Sequence, residues 1–196
     1  KYKSLEEQGY HVVATDVKGI GATHNYITDY FKKGECIIEI DDDLKKIVDK
    51  NRQDILSFTD TIETIIDKMK EEQVSYAGLY SVDNNLFMSK SKEYTTELCY
   101  SLGIFRIRFI RKEIKLVTNY SEDMENNIRY YLRDGKILRC NWLCGKTTNY
   151  SIGGCNGDGR NHETEKADKV KLNKLFPDYT KLFQRRNGRW DLRLKD

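Results

Sequence analysis

Residues 35–43 read ECIIEIDDD, the most informative stretch of the sequence. The β-branched run over residues 36–40 predicts a short buried strand. The strand ends at three adjacent carboxylates, which repel one another and cannot all enter a dry core. Since side chains alternate along a strand, Asp41 and Asp43 point to one side of the sheet and Asp42 to the other.

Two interpretations of the three aspartates remain open. Oxygen donors at the carboxyl end of a strand suit Mg²⁺ or Mn²⁺, with substrate phosphates completing the coordination. That edge of an open α/β sheet is also where ligands bind. Alternatively, the aspartates cap a helix predicted over residues 42–51 and complement its dipole. The first interpretation makes Asp41 and Asp43 metal ligands.

The segment upstream completes a strand–helix–strand unit. Residues 10–15 (YHVVAT) predict a strand and residues 20–33 a helix, which Gly34 ends. Such a unit implies a parallel strand pair with a right-handed crossover. Gly19 and Gly21 in the connecting loop either let the backbone approach a ligand near a helix N-terminus or form an ordinary tight turn.

Helices and strands alternate through the rest of the chain. The sequence therefore predicts a single α/β domain over residues 1–196, with a mixed, mainly parallel, Rossmann-like sheet flanked by helices. Arg106 and Arg108 share one face of an alternating strand, which indicates a solvated surface or a nucleic-acid contact. Further helices are predicted over residues 60–73, 121–132 and 163–176, and strands over residues 75–80, 84–89, 105–110 and 136–143.

A second acidic motif, SEDME, begins at Ser121. Ser121 suits a helix N-cap, and Glu122 and Asp123 suit the first turn for electrostatic reasons. The same two carboxylates equally suit a general base presented into a cleft. The motif is therefore either a helix start or a catalytic group.

The glycine-rich stretch over residues 145–160 resists regular structure. Its end, GGCNGDGR, would wrap a phosphate through backbone N–H groups or close over a substrate. Zinc is a weaker alternative, because no strong zinc pattern matches the spacing of Cys140, Cys144, Cys155 and His162.

Charge is unevenly distributed along the chain. Residues 1–98 carry 13 Lys and Arg against 19 Asp and Glu, whereas residues 99–196 carry 21 against 12. A basic half suggests a polyanionic partner or, equally, a solvated surface. Its densest cluster is formed by Arg185, Arg186, Arg189 and Arg193.

Composition narrows the class of protein further. No apolar run approaches the roughly 18 residues of a membrane span, and the five cysteines form no obvious disulfide framework. A single proline among many Asn, Lys, Ile and Tyr residues suggests an AT-rich genome, such as that of a virus or phage. We therefore expect a protein of the host-cell cytoplasm. The absence of an initiator Met suggests a fragment.

Three stretches together resemble the GT-A nucleotide-sugar glycosyltransferases. Residues 19–43 (GIGATHNYITDYFKKGECIIEIDDD) match the order of loop, Asn, helix, apolar strand and Asp-x-Asp, and residues 121–131 (SEDMENNIRYY) resemble the later Glu-Asp motif. The Gly-Gly loop with Arg160 resembles small viral members. The nearest groups are the TET-associated glycosyltransferases of phages and the chlorella-virus capsid glycosyltransferases, over about residues 9–165.

The resemblance implies a role for each matching residue. Asp41 would contact the ribose or metal side of a UDP-sugar, and Asp43 would bind the Mn²⁺ or Mg²⁺ that bridges the diphosphate. Asp123 would be the general base on the acceptor hydroxyl, with Glu122 as its neighbour or substitute. The nucleotide-sugar site implied by the resemblance comprises Gly19, Gly21, His24, Asn25, Asp41, Asp42, Gly153, Gly154 and Arg160.

Two departures from the family pattern are evident. His24 stands where the family usually has Arg, and the first strand, which normally holds the uracil, is absent. Residues 1–98 are then the nucleotide-sugar and metal half, and residues 99–196 the acceptor half. The implied reaction is an inverting sugar transfer to a hydroxymethylated base in viral or phage DNA, or to a capsid glycan.

Two rival functions remain open, and only the first uses the same aspartates. A metal-dependent nuclease or phosphotransferase would need further acidic ligands that converge on the metal, and no second acidic cluster has a recognisable spacing. A non-catalytic nucleic-acid-binding module would use the basic half, with the three aspartates only capping a helix.

Overall fold

The computed structural model describes residues 2–147 and 161–195, in which helices and strands alternate along the chain. The helices are α1 (Lys3–Glu7), α2 (Ile20–Tyr30), α3 (Phe58–Glu71), α4 (Asn85–Lys90), α5 (Glu122–Asp134) and α6 (His162–Leu175). The strands are β1 (Cys36–Ile40), β2 (Leu44–Asp49), β3 (Tyr76–Tyr80), β4 (Tyr94–Thr95), β5 (Leu102–Phe109), β6 (Leu138–Thr147), β7 (Thr180–Gln184) and β8 (Trp190–Leu194).

A mixed sheet forms the centre of the described structure. Its strand order is β1-β5-β3-β6-β2, and β4 also pairs with β6. The pair β3–β6 is parallel, whereas β5 runs antiparallel to β1 and β3, and β6 antiparallel to β2 and β4. The prediction of a mainly parallel sheet is therefore wrong. Strands β7 and β8 form a separate antiparallel hairpin beside α6.

Strand β1 forms as predicted, but its environment differs from the prediction. It lies at the edge of the sheet, and Ile38 and Ile40 are 39% and 48% exposed. Residues 10–15 have no strand assignment, so the predicted parallel partner is missing. Strand β1 instead takes its ladder hydrogen bonds from the antiparallel β5, with Glu39 opposite Arg106.

Two predicted elements change type. Residues 44–49 form β2 rather than part of a helix, because Ile47 and Val48 are both buried where the strand pairs with β6. Residues 85–90 form helix α4 rather than a strand, because the Asn84 side chain accepts a hydrogen bond from the Leu86 N–H and caps the helix. The capping interpretation of the three aspartates fails, since a strand follows them.

The two faces of the sheet differ in chemistry. On one face, Phe105 and Ile107 of β5 pack with Ile62, Ile65 and Met69 of α3 in the hydrophobic core. Because side chains alternate, the neighbouring residues of β5 point to the opposite face, towards α2 and α5. That opposite face carries buried charges and is where the candidate site lies.

No helix within residues 2–147 and 161–195 is long and apolar enough to span a membrane.

Candidate functional site

The two acidic motifs meet at one end of the sheet. The Asp41 N–H, just beyond β1, donates a hydrogen bond to the Ile104 carbonyl at 3.0 Å. On the adjacent residue, Gly103, a Cβ atom would lie only 1.7 Å from Asp123 Oδ1. The first turn of α5 therefore brings Asp123 to the point where β1 ends and β5 begins. The site draws on both halves of the chain.

Arg106 lies beneath these carboxylates and is 2% exposed. Its Nη2 is 3.6 Å from Asp123 Oδ1, and its Nε is 3.6 Å from Glu39 Oε2. Its Nε and Nη2 also donate hydrogen bonds to the Gly103 carbonyl at 3.1 and 2.7 Å. Although burial opposes the charged form, Tyr76, Asp123 and Glu39 together raise the pKa of Arg106.

Glu39 joins Arg106 to a second buried arginine. Arg108 donates to both Glu39 oxygens, at 3.0 and 2.7 Å, and His24 Nδ1 lies 3.5 Å from Oε1. Burial alone would raise the pKa of Glu39, but His24 and the two arginines outweigh it and lower the pKa to about 2. Glu39 is therefore a buried carboxylate that is ionised at neutral pH. Burial lowers the pKa of His24 below its ordinary value, against the opposing effect of Glu39.

The start of α5 supplies two carboxyl groups in different surroundings. Asp123 Oδ2 accepts a hydrogen bond from the Tyr100 hydroxyl at 3.3 Å. Burial raises the pKa of Tyr100, so this hydroxyl stays protonated and remains a donor. Burial, followed by the charge of Asp123, also raises the pKa of Glu122. Ser121 makes no side-chain capping hydrogen bond, so this helix start is not a simple capping motif.

Asp41 lies at the exposed rim of this cluster. Its pKa is raised to about 6, first by partial burial and then by the charges of Asp123, Asp43 and Asp42, while Arg106 opposes the change. Water and salt screen part of this effect at the rim. The carboxylates of the two motifs thus lie within electrostatic reach of one another and leave a region of unbalanced negative charge.

The other two aspartates differ in their surroundings. Asp42 is exposed and accepts a hydrogen bond from the Tyr2 hydroxyl at 3.0 Å. Asp43 is half-buried and close enough to Asp41 to raise its pKa. Among the residues described, no group of three or more His, Cys, Asp or Glu side chains is placed to hold a metal ion by itself.

The predicted site residues around α2 have packing roles. A Cβ on Gly21 would lie 2.0 Å from the Thr118 carbonyl oxygen, and one on Gly19, whose φ is +94°, would lie 2.6 Å from Asn119 Oδ1. Asn25 donates to the Leu116 carbonyl and accepts from the Leu116 N–H, both at 2.8 Å. These residues therefore fix α2 to residues 116–119.

Part of the prediction concerns residues outside the described ranges. Gly153, Gly154 and Arg160 belong to this part, as does Cys155 of the possible zinc site. The remaining cysteines of that set, Cys140 and Cys144, are buried in β6.

Sequence reasoning missed Glu39, Arg106, Arg108 and Tyr100. The prediction that Arg106 and Arg108 form a solvated or nucleic-acid-binding face is wrong, since each is 2% exposed. One signal was present in the sequence: an acidic residue in one alternating strand and two arginines in another suit a cross-strand ion pair.

The basic cluster of the C-terminal hairpin is partly neutralised. Arg185 forms an ion pair with Asp191, and Arg189 forms one with Glu165. The guanidinium group of Arg193 lies over the Phe183 ring, 6.0 Å from its centroid. The hairpin is therefore a weaker polyanion surface than its arginine count indicates.

Comparison of the chain with protein-family models, curated proteins and solved structures finds no match.

Proposed function

We propose that this chain is a metal-dependent glycosyltransferase that moves a sugar from a nucleotide sugar, in the first instance a UDP-sugar, to an acceptor hydroxyl. One observation carries the proposal: the carboxylates after β1 and those at the start of α5 converge at one end of the sheet. Asp41 is hydrogen-bonded to Ile104, and Asp123 lies against the adjacent Gly103. This placement supports the GT-A resemblance of the same two motifs; a metal-dependent nuclease would use the same converging carboxylates, and the reaction product separates the two.

The residues at the rim fit a divalent cation. Asp41 and Asp43 offer the hard oxygen donors that Mg²⁺ and Mn²⁺ prefer, and a site with two protein carboxylates leaves positions for phosphate oxygens and water. Burial is the first cause of the raised pKa of Asp41, and the charges of Asp123, Asp43 and Asp42 add a negative field that a cation would relieve. When bound, the metal would act as a Lewis acid on the leaving diphosphate.

Asp123 is a better candidate for the general base than its neighbour Glu122. Because burial and a neighbouring charge raise the pKa of Glu122, that group binds its proton more tightly than an ordinary carboxyl. In the proposed step, Asp123 takes the proton of the acceptor hydroxyl while the oxygen forms a bond to the anomeric carbon. The bond from that carbon to the diphosphate breaks in the same displacement, which inverts the configuration. Such a base contributes about 10²–10⁴-fold.

The acceptor in this proposal is a hydroxymethylated base in viral or phage DNA, or a capsid glycan. The excess of basic residues in the second half of the chain favours DNA, since cationic side chains neutralise phosphates. The argument is weakened by the ion pairs of Arg185 and Arg189, which partly neutralise these two side chains. Other cationic side chains, among them Arg186, would still contribute to phosphate binding.

The decisive experiment measures UDP release from a panel of UDP-sugars with Mn²⁺ and no added acceptor, because water can replace the acceptor hydroxyl. We expect release by the wild type and loss of at least about 10²-fold in Asp43→Asn. Asp67→Asn is the matched control, since it removes an aspartate charge from the exposed face of α3. It should release UDP at the wild-type rate.

Each rival function has its own signature. Metal-dependent cleavage of nucleic acid without UDP release would favour the nuclease. DNA binding that is equal in the wild type and Asp43→Asn, without UDP release by either, would overturn the glycosyltransferase and favour the binding module.

A further inference from the structure

We propose that Arg106 is the positioning residue for the Asp123 carboxylate, and that Gly103 makes room for their contact. The inference rests on the proposed function, in which Asp123 is the general base. It adds two residues from β5 to the site, neither of which belongs to the acidic motifs.

Arg106 is placed to act on Asp123 and not on a ligand. Only 2% of its surface is exposed, and both its Nε and its Nη2 are fixed by the Gly103 carbonyl. Nη2 then faces Asp123 Oδ1 at 3.6 Å, while the Tyr100 hydroxyl donates to the other oxygen, Oδ2. The carboxylate therefore has a hydrogen-bond donor at Oδ2, while Oδ1 is buried without a hydrogen bond and faces the Arg106 guanidinium group as an ion pair.

Gly103 matters because any side chain would occupy the same space. A Cβ there would lie 1.7 Å from Asp123 Oδ1 and 2.7 Å from Arg106 Nη2. Both distances are far below van der Waals contact, so the carboxylate and the guanidinium group would both have to move away from the new Cβ atom. Gly103→Ala thus displaces Asp123 while it removes no charge.

On the side away from Asp123, Arg106 is positioned by Glu39. Glu39 Oε2 lies 3.6 Å from Arg106 Nε, and the same carboxylate accepts two hydrogen bonds from Arg108. Arg106 is consequently a fixed cation between Glu39 below and Asp123 above. A fixed cation of this kind orients a charged group without the reorganisation that solvent would require.

The test measures kcat and KM for metal-dependent UDP release in five proteins: wild type, Asp123→Asn, Arg106→Met, Arg106→Lys and Gly103→Ala. We expect Arg106→Met and Gly103→Ala to lower kcat by about 10²-fold, the usual cost of a misplaced catalytic group. KM for the donor should stay within about twofold, since neither residue touches it. The kcat of Arg106→Lys should be about tenfold or more above that of Arg106→Met.

A double variant separates positioning from general structural damage. If Arg106 acts through Asp123, the combined Arg106→Met and Asp123→Asn variant should be no slower than Asp123→Asn alone. Gly145→Ala is the matched control, because its Cβ would meet the aliphatic Ile104 Cδ1 at 2.5 Å and no carboxylate. Its kcat should exceed that of Gly103→Ala by at least about tenfold.

The outcomes distinguish this inference from the proposed function. If the wild type releases no UDP, the proposed function falls and this inference falls with it. If the wild type is active and Asp123→Asn is impaired, full activity in Gly103→Ala overturns the positioning role alone. An additive loss in the double variant also overturns it. Should Arg106→Met fail to fold in a thermal melt, Gly103→Ala decides the question, because it keeps every charge.

Discussion

Replacing Glu39 with Gln tests the buried charge network by a route that needs no enzyme assay. Glu39 is the carboxylate that compensates both Arg106 and Arg108. The gap between its pKa of about 2 and the ordinary value of 4.5 corresponds to roughly 3 kcal/mol of stability at neutral pH. Breaking a buried ion pair by removing one partner costs about 3–5 kcal/mol, which is the same order. We therefore expect Glu39→Gln to lose roughly 3 kcal/mol at pH 7.

The pH dependence of this loss follows from the direction of the pKa change. Because the pKa of Glu39 is lower in the folded protein, the unfolded chain takes up the proton first as the pH falls. The contribution of Glu39 is complete above about pH 5 and disappears as the pH approaches 2. The difference between the wild type and Glu39→Gln should therefore fall to less than half by pH 3.

Urea unfolding followed by far-UV circular dichroism at pH 7, 5 and 3 measures the difference directly. Glu63→Gln is the control, since this exposed residue of α3 loses a charge without losing a buried partner. A loss below about 1 kcal/mol at pH 7 would refute the reasoning. So would a loss that stays the same between pH 7 and pH 3.

Three further variants or conditions test the surroundings of the site. Gly21→Ala should lower the free energy of unfolding by about 1–3 kcal/mol, because its Cβ would lie 2.0 Å from the Thr118 carbonyl oxygen; an unchanged urea midpoint would contradict this packing. Glu125→Ala should cost about 3–5 kcal/mol, since the fully buried carboxylate binds Val117, Thr118 and Arg129; a loss under about 1 kcal/mol in urea would be inconsistent with it. Treatment with EDTA should abolish UDP release and Mn²⁺ should restore it, whereas release in EDTA would argue against the proposed metal site.

The sequence predicts well where one face of an element is strongly apolar. Helix α3 was expected over residues 60–73 from an apolar stripe and is observed over Phe58–Glu71, with Ile62, Ile65 and Met69 buried. Helices α2, α5 and α6 and strands β3, β5 and β6 are likewise confirmed to within a few residues. Local periodicity identifies α3 most clearly, because this helix buries a single continuous apolar face.

The wrong predictions concern segments whose secondary structure or strand partner depends on pairing with distant strands. In residues 44–49, the spacing of apolar and charged residues fits a helix as well as a strand. Pairing with β6, which buries both Ile47 and Val48, selects the strand. The parallel partner expected for β1 fails for a similar reason, since strand order and direction are set by contacts far along the chain.

The candidate site was predicted in its acidic groups but not in its basic ones. Asp41 and Asp123 stood out because adjacent carboxylates are costly to place in a dry core. The sequence pattern predicts a surface position for Arg106, because an alternating strand with charges on one face is typical of a solvated sheet. The cross-strand register puts Glu39 opposite Arg106, and the 2% exposure of Arg106 shows that this face is buried.

The charged side chains on this face of β1 and β5 need a physical explanation. A buried ion pair seldom stabilises a fold more than apolar side chains of similar size, because each charge must first be removed from water. This domain nevertheless buries Arg106 and Arg108, and leaves only 11% of the Glu39 side chain exposed, on the face of β1 and β5 that lies next to Asp41 and Asp123. Their counterparts on the other face, Phe105 and Ile107, show that these strands can pack against apolar partners. Stability alone therefore does not account for the charged face, whereas the proposed positioning of the Asp123 carboxylate by Arg106 would require it.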